Sequence, residues 1–361
     1  MGSYPLQDLE QHGFTPSVIA ALGVAALPGI GWVTLQHLGS PGSVLELFTS
    51  ESLGEFTSAV NGVGGKFAPA SAGIDTWQIL RERVWHQGRV LADQLFSANV
   101  HCLTSSSPDY PQRFRDLGSR EPFWLFLRGS RALLNTPSVA VVGTRSPTWA
   151  GEFLTHYSVA LLAELGVPVV SGLAKGIDSV AHEWALKMQI PTISVLSSGL
   201  LSPYPARNAN LADRIVAAGG LLVSEYLPQQ QPNAEMFVWR NRLQACIATC
   251  VIATEWKRSS GTAHTLRFAD ELNRPTLSTH VSALPRLPDA GLTRNHFELP
   301  REQEAFRAVV DGALKSFAKS DIKKAAPVCQ RTDEPWDENG EPADENKVSS
   351  TPQFKGQDQL F

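Results

Sequence analysis

The sequence predicts an α/β fold: a doubly wound, mostly parallel sheet, preceded by a helical region and followed by an acidic tail. Three observations carry this. Between about residues 95 and 300, short apolar, β-branched runs alternate with helical patterns, the signature of βαβ units covered on both faces. The glycine-bearing turns fall at the ends of those runs, where ligands bind on such sheets. From about residue 318 the chain is rich in Pro, Asp, Glu, Asn, Ser and Gln and has almost no apolar content, so it cannot offset its ordering entropy.

Composition bounds the rest. Of 361 residues, 43% are hydrophobic and 18% charged, which supports a packed core and excludes wholesale disorder. The apolar runs are too short to span a membrane. The opening MGSYPLQDLEQHG lacks the basic patch and apolar run of a secretory signal, so a cytoplasmic location and no membrane contact are expected. Four cysteines make no disulfide framework, and Cys246 and Cys250 have no partners at zinc spacing. They read as buried, reduced thiols. The net charge of −4 resides after residue 320, where nine acids face five bases. The preceding part is therefore neutral, and any nucleic acid must meet a local basic patch.

Residues 1–92 read as a helical domain. Ala20 to Leu27 suits a helix, Pro28, Gly29 and Gly31 break it, and Val33 to Leu38 restarts the pattern. This is the shape of a helix-hairpin-helix (SAM-like) unit offering backbone N–H groups to a phosphate, or equally of an αα-corner. The second domain, 93–317, opens its sheet with Ser138–Val142 and a helix over Thr148–Leu165. Residues 318–361 form the disordered tail.

Four strand ends carry anion-binding chemistry. Gly143-Thr144-Arg145 ends the first run: Gly permits close backbone approach, Thr offers a hydroxyl and Arg a planar fork. The spacing matches neither a dinucleotide fingerprint nor a Walker loop. Ser171-Gly172 and Lys175 precede a helix start and form an anion nest; Asp178 either caps that helix or meets the ligand, and His182 reads as a satisfied core residue. Asn208 introduces the next helix. Arg240-Asn241-Arg242 is placed at a further helix start, facing either carboxylates such as Glu225 and Glu255 or a bound anion. Lys257, Ser260, Gly261 and Thr262 open the last such helix. Together they point to a continuous phosphate-binding crest. No nucleophilic triad or paired metal carboxylates accompany it, so neither cofactor, metal nor turnover is expected.

The ordered set Tyr110-Pro111, Val141-Val142-Gly143-Thr144-Arg145, Ser171 to Asp178, Ala181-His182, Tyr204-Pro205, Asn208, Leu211, Ser224-Glu225-Tyr226, Arg240-Asn241-Arg242 and Ser260-Gly261-Thr262 resembles the DprA/Smf family of DNA-processing proteins. The resemblance covers about 100–278. It implies an extended Rossmann-like domain without a nucleotide cofactor, which binds single-stranded DNA, assists RecA loading and forms homodimers. It assigns Arg145 to a DNA phosphate, Ser171, Gly172 and Lys175 to the same pocket, Arg240 and Arg242 to its continuation, and Ser260, Gly261 and Thr262 to further donors. Backbone contacts of this kind imply little sequence preference. Trp239 stacks a base or belongs to the core.

The chain departs from the pattern at Ser197-Ser198-Gly199, at Thr279-His280-Val281, over 280–300, and in lacking a terminal winged helix. Its end, Gln357-Asp358-Gln359-Leu360-Phe361, resembles peptides that dock on the DNA polymerase sliding clamp, with Gln357, Leu360 and Phe361 as anchors, or is a chance match. Two other functions compete. One is a nucleotide-hydrolysing module, for which Arg258 to Thr265 lacks the glycine pair and the glutamate. The other is a nucleotide-sensing module, as in phage defence.

Overall fold

A computed structural model describes residues 4–48, 52–282 and 291–325, with the side chains of 318–325 excepted. Six helices come first: α1 (Leu6–Gln11), α2 (Pro16–Ala25), α3 (Trp32–Leu38), α4 (Pro41–Glu46), α5 (Leu53–Gly62) and α6 (Trp77–Ser97). The hydroxyls of Thr15, Ser40, Ser52 and Thr76 accept first-turn N–H groups and start α2, α4, α5 and α6. Helices α2 and α6 cross in backbone contact. A Cβ on Gly88 would lie 2.0 Å from the Ile19 carbonyl oxygen, and one on Gly23 would lie 2.0 Å from that of Val84. Only glycine at both positions lets the two helices approach this closely.

The sheet follows without a linker, α6 leading directly into β1 (Val100–Leu103) and then β2 (Leu125–Gly129). The alternating part runs β3 (Val139–Val142), α7 (Trp149–Glu164), β4 (Val169–Ser171), α8 (Ile177–Lys187), β5 (Thr192–Val195), α9 (Ala209–Ala217), β6 (Leu221–Ser224), α10 (Ala234–Ile247), β7 (Cys250–Ala253), α11 (Gly261–Glu271), β8 (Thr276–His280), β9 (Asn295–Glu298) and α12 (Gln303–Ala325). The strand order is β1-β2-β6-β5-β4-β3-β7-β8-β9. β2 pairs antiparallel with β1 and β6; every other neighbouring pair is parallel. From β3 the chain winds one way through β4, β5 and β6, then returns to the other side at β7. The crevice beyond the C-terminal ends of β3 and β7 is thus the topological switch point.

Strand alternation explains the two-sided core. Val139 and Val141 of β3 pack with α7, α8 and α12, whereas Ala140 and Val142 pack with α10 and α11. A third apolar cluster joins the helical region to Phe126 of β2, Leu222 of β6 and Ile215 of α9. The α/β class and the doubly wound, mostly parallel sheet are as the sequence predicts.

The expected limits differ from those observed. The 92/93 boundary lies inside α6, and 317/318 lies inside α12. Contacts group residues 1–321 as one compact unit. Of the second unit, 322–361, only the end of α12 is described, so the tail and its Gln357, Leu360 and Phe361 lie outside the described residues. The unmatched stretch after residue 280 supplies β9, which pairs Phe297 with Thr279. Cys102, Cys246 and Cys250 are buried and free, and burial pushes the thiols of Cys246 and Cys250 up to about 12. Among the described residues no helix is long and apolar enough to cross a membrane.

The helix crossing yields the first prediction. Gly88→Ala should cost about 1–3 kcal/mol of stability, read as a lowered melting temperature, because the helices must separate. Gly62→Ala, whose Cβ meets nothing within 4 Å, should not lower it.

Candidate functional site

A cleft of about 640 Å³ occupies the switch point. Its walls come from the end of β3, the loop before α8, the N-terminal half of α10 and the start of α11. Gly143, Thr144, Arg145, Asp178, Arg240, Asn241, Ser260, Gly261 and Thr262 all line it, so the structure brings most of the sequence-predicted site together. Hydrogen bonds hold the walls in register. The Thr144 N–H donates to the Glu255 carbonyl (2.7 Å), Thr262 Oγ1 donates to the Gly143 carbonyl (3.0 Å), and the Asn241 amide donates to the Gly261 carbonyl (3.1 Å). Helix α11 opens toward the cleft, where first-turn N–H groups lack intrahelical acceptors. The hydroxyl of Ser260 itself donates to the Lys257 carbonyl (2.6 Å).

Arg145 is exposed, with its guanidinium 4.7 Å above the Phe237 ring. Phe237 in turn meets the exposed Tyr204 edge-on at 5.7 Å. Lys175, one residue beyond the lining Ala174, and Lys257, three residues before Ser260, are both exposed and bring mobile cationic heads to this end of the sheet.

The remaining predicted residues lie underneath, and four readings need correction. First, Arg240-Asn241-Arg242 does not start a helix: α10 begins at Ala234, capped by Asn233, and the triplet spans its second and third turns. Second, Arg242 is not on the crest. Its side chain is 0% exposed, forks onto both oxygens of Glu225 (2.7 and 2.6 Å), donates through Nε to the Arg120 carbonyl (2.8 Å) and lies 4.2 Å from the Trp239 ring. Every face of it is occupied by protein. Third, Ser171 and Gly172 are buried and form no anion nest. The Ser171 hydroxyl donates to the Val141 carbonyl (2.7 Å), and a Cβ on Gly172 would lie 2.0 Å from Arg240 Nη1. Gly172 makes room for an arginine. Fourth, neither Asp178 nor Asn208 caps a helix through its side chain. Gly176 occupies the cap position of α8, and Asn208, at the cap position of α9, donates its amide to the Leu173 carbonyl (2.7 Å).

Arg240 is the unusual group. It is 3% exposed, donates through Nη1 to the Val195 carbonyl, and has no hydrogen-bond partner at Nε. Among the described residues no carboxylate reaches it at ion-pair distance. Burial lowers its pKa, opposed chiefly by the charge of Asp178. Burial likewise raises the pKa of Asp178, against the pull of Arg240 and of its contacts with Ser171 and Ala174. The cleft floor thus carries a cation with unmet donor capacity, the condition that attracts an anion. Glu255, the other carboxylate considered for these arginines, instead accepts from the N–H and hydroxyl of Thr148 (2.8 and 3.1 Å).

His182 is a core residue, fully buried and satisfied at only one ring nitrogen, its Nε2 having no hydrogen-bond partner. Its Nδ1 pairs with Thr192 Oγ1 (2.7 Å), and burial, with Arg240 nearby, lowers its pKa to about 3. Trp239 packs on Trp32 at 4.7 Å and on Arg242, so it cements α3 to α10. The Pro28–Gly31 turn is likewise engaged by packing: Gly29 accepts from the Lys66 N–H (2.8 Å). Among the described residues no group of three or more His, Cys, Asp or Glu could hold a metal.

The cleft also holds residues that the sequence reading missed: Asn233, Phe237, Gln244 and Thr265. Phe237, Arg240, Asn241 and Gln244 recur at helical spacing on α10, a signal that the misplaced helix start concealed.

A Rossmann-type crevice edged with basic and hydroxyl groups, and without a nucleotide fingerprint, defines the class of site. The sequence pattern of the family described as DNA recombination-mediator protein A matches residues 101–292, more than half of the chain, and the chain belongs to that family. It is similar to the protein Smf of Synechocystis sp., with 34% identity over 280 residues, 74% of this chain and 64% of that one. Its fold is similar to the X-ray structure of DNA processing protein A from Streptococcus pneumoniae, with a TM-score of 0.56, 26% identity, and 84% of this chain and 98% of that chain covered. It also resembles DNA processing protein A from Helicobacter pylori, whose structure concerns a single-stranded DNA binding mode, with a TM-score of 0.50, 28% identity, and 60% and 96% covered. The chain spans 64% and 48% of the lengths of two curated Smf relatives it matches.

Two outcomes follow from the buried groups. Glu225→Ala should cost about 3–5 kcal/mol by stranding Arg242, and Arg242→Ala should destabilise as severely, whereas Arg145→Ala should leave the denaturation midpoint unchanged. For His182 the folded pKa lies below the unfolded one, so the unfolded chain gains the extra proton as pH falls. Stability is full above about pH 6.5 and falls by about 1.4 kcal/mol per unit below it for this group. His182→Asn should therefore flatten the melting temperature between about pH 6 and pH 4, measured by calorimetry.

Proposed function

We propose that the chain binds single-stranded DNA at the switch-point cleft and serves, without turnover, as a recombination mediator in the cytoplasm. The carrying observation is that exposed Arg145, with Lys175 and Lys257, stands over a floor holding the buried, incompletely partnered Arg240. This arrangement suits a phosphate chain. Arg145 takes a backbone phosphate as a planar fork, the start of α11 supplies N–H donors at Gly261 and Thr262, and Phe237 offers an aromatic edge where bases pass. The single-stranded DNA binding of the Helicobacter pylori relative supports the reading.

In this reading the bound strand is handed to RecA during DNA uptake or recombination, and two copies of the chain act together as a homodimer. Residues 357–361 add a docking peptide for the sliding clamp.

Fluorescence anisotropy with a labelled single strand, against duplex of equal length, tests this. Affinity should favour the single strand and fall as salt rises. Arg145→Ala with Lys175→Ala should weaken binding at least about tenfold, irrespective of sequence, and flatten the log–log salt slope by about 1.4 for two lost contacts. Unchanged affinity in the double variant would remove the cleft from the DNA path. Binding of a mononucleotide in preference to an oligonucleotide would turn the reading toward nucleotide sensing.

A further inference from the structure

Among the described residues, Trp149 is the most exposed of the large apolar side chains, at 65%. It opens α7 on a backbone that is held firmly from below. The Thr148 hydroxyl caps the helix by accepting from the Gly151 N–H (3.3 Å), and the Thr148 N–H and hydroxyl both donate to one oxygen of Glu255 (2.8 and 3.1 Å). A Cβ on Gly151 would lie 2.0 Å from that same oxygen, so the first turn of α7 sits directly on the carboxylate. Ala150 and Leu154 face the core, and Trp149 is left in water, where it adds nothing to packing. One turn on, Phe153 is 37% exposed. There the bare stretch ends. Tyr157 is half-buried and donates its hydroxyl to Gln303, and His156 is covered by the Trp184 ring at 4.1 Å.

The size and setting of this pair point to its occupant. Its rings are about 6 Å apart along the helix axis. A protein partner needs roughly 800 Å² on each side, which two rings do not supply, whereas they match one or two nucleobases. The cleft is close by: Arg145 lines it, and the four residues from Arg145 to Trp149 span at most about 14 Å. The rim thus carries Phe237 beneath Arg145 on the cleft side and Trp149 beyond it, alternating ring and cation as a strand alternates base and phosphate. Glu152 is the acid of that turn, and Arg145 and Lys175 outweigh it at this end of the sheet.

We propose that the strand held in the cleft continues past Arg145 onto the start of α7, where a base outside the cleft stacks on Trp149 and Phe153 flanks it. This rests on the single-stranded-DNA reading and extends it to a second, external contact. Every base has a π-face, so the platform adds affinity without sequence preference. It also separates single strand from duplex, whose bases are stacked on one another and present no free face.

Anisotropy of the full chain with labelled dodecathymidylate across a salt series, beside thermal melting, tests this. Trp149→Ala should weaken binding about five- to 150-fold, the worth of one base on an aromatic ring. Its log–log salt slope should stay as in wild type, because stacking releases no counterions, whereas Arg145→Ala should flatten the slope by about 0.7. Trp149→Phe should restore most of the affinity, and Phe153→Ala should cost less than Trp149→Ala. Duplex affinity and melting temperature should be the same in Trp149→Ala as in wild type. Unchanged single-strand affinity in Trp149→Ala would overturn the inference and leave binding at the cleft intact. An equal loss toward duplex, a flattened salt slope or a lower melting temperature would overturn it as well, by showing that the ring acts through Arg145 or through the fold. Failure of wild type to bind dodecathymidylate would instead bring down the single-stranded-DNA reading, and this inference with it.

Discussion

The buried pair of Arg242 and Glu225 is the constraint on which the site depends. It ties the middle of α10 to the end of β6, and the same guanidinium fastens the Arg120 carbonyl and stacks on Trp239. Arg120 in turn pairs with Glu271 and lies over Phe268, both on α11. One ion pair thereby sets the rotation of α10 and links it to the helix forming the opposite wall of the cleft. Desolvating two charges is expensive, and only the bidentate geometry with the added carbonyl bond offsets it. The return is positional: with Arg242 locked inward, the helical repeat turns Phe237, Arg240, Asn241 and Gln244 to the cleft.

Neighbouring arginines of one motif therefore do different work. Arg242 is structural, Arg240 is a buried charge that keeps donor capacity, and Arg145, on another loop, faces solvent. Glycines divide the same way. The backbone at Gly172 is not an anion nest; its missing side chain is the slot occupied by the Arg240 guanidinium. Cleft chemistry and core packing are interleaved at single-residue spacing.

How much of this was legible in the sequence depends on which physical signal wrote it. Apolar alternation marks β3 to β8 and the helices between them, because strands buried on both faces must be continuous apolar runs. Gly143-Thr144-Arg145 and Ser260-Gly261-Thr262 were legible because loops at strand ends have little other reason for such residues. The depth of Arg242 was not. Which of two arginines two residues apart faces inward follows from helix phase, and the phase was lost by starting the helix at Arg240 and not at Ala234. Gln244 carried no local signal at all, since a glutamine within an apolar helix becomes informative only once the helix phase sets it against the cleft. The 92/93 division failed for a related reason: the glycine and proline breaks that punctuate the early helices do not occur at the junction of α6 and β1.

That seamless junction bears on how the polypeptide can be cut and inherited. The helical region buries its apolar side chains against Phe126 and Leu222 of the sheet as well as against itself. Trp32 closes the contact on Trp239. A gene fragment beginning at the sheet would expose one end of it to water, and one ending before the sheet would leave half a core without its other half. The helices are therefore not a portable module. Recombination between genes, natural or engineered, can exchange them only together with the strands they cover.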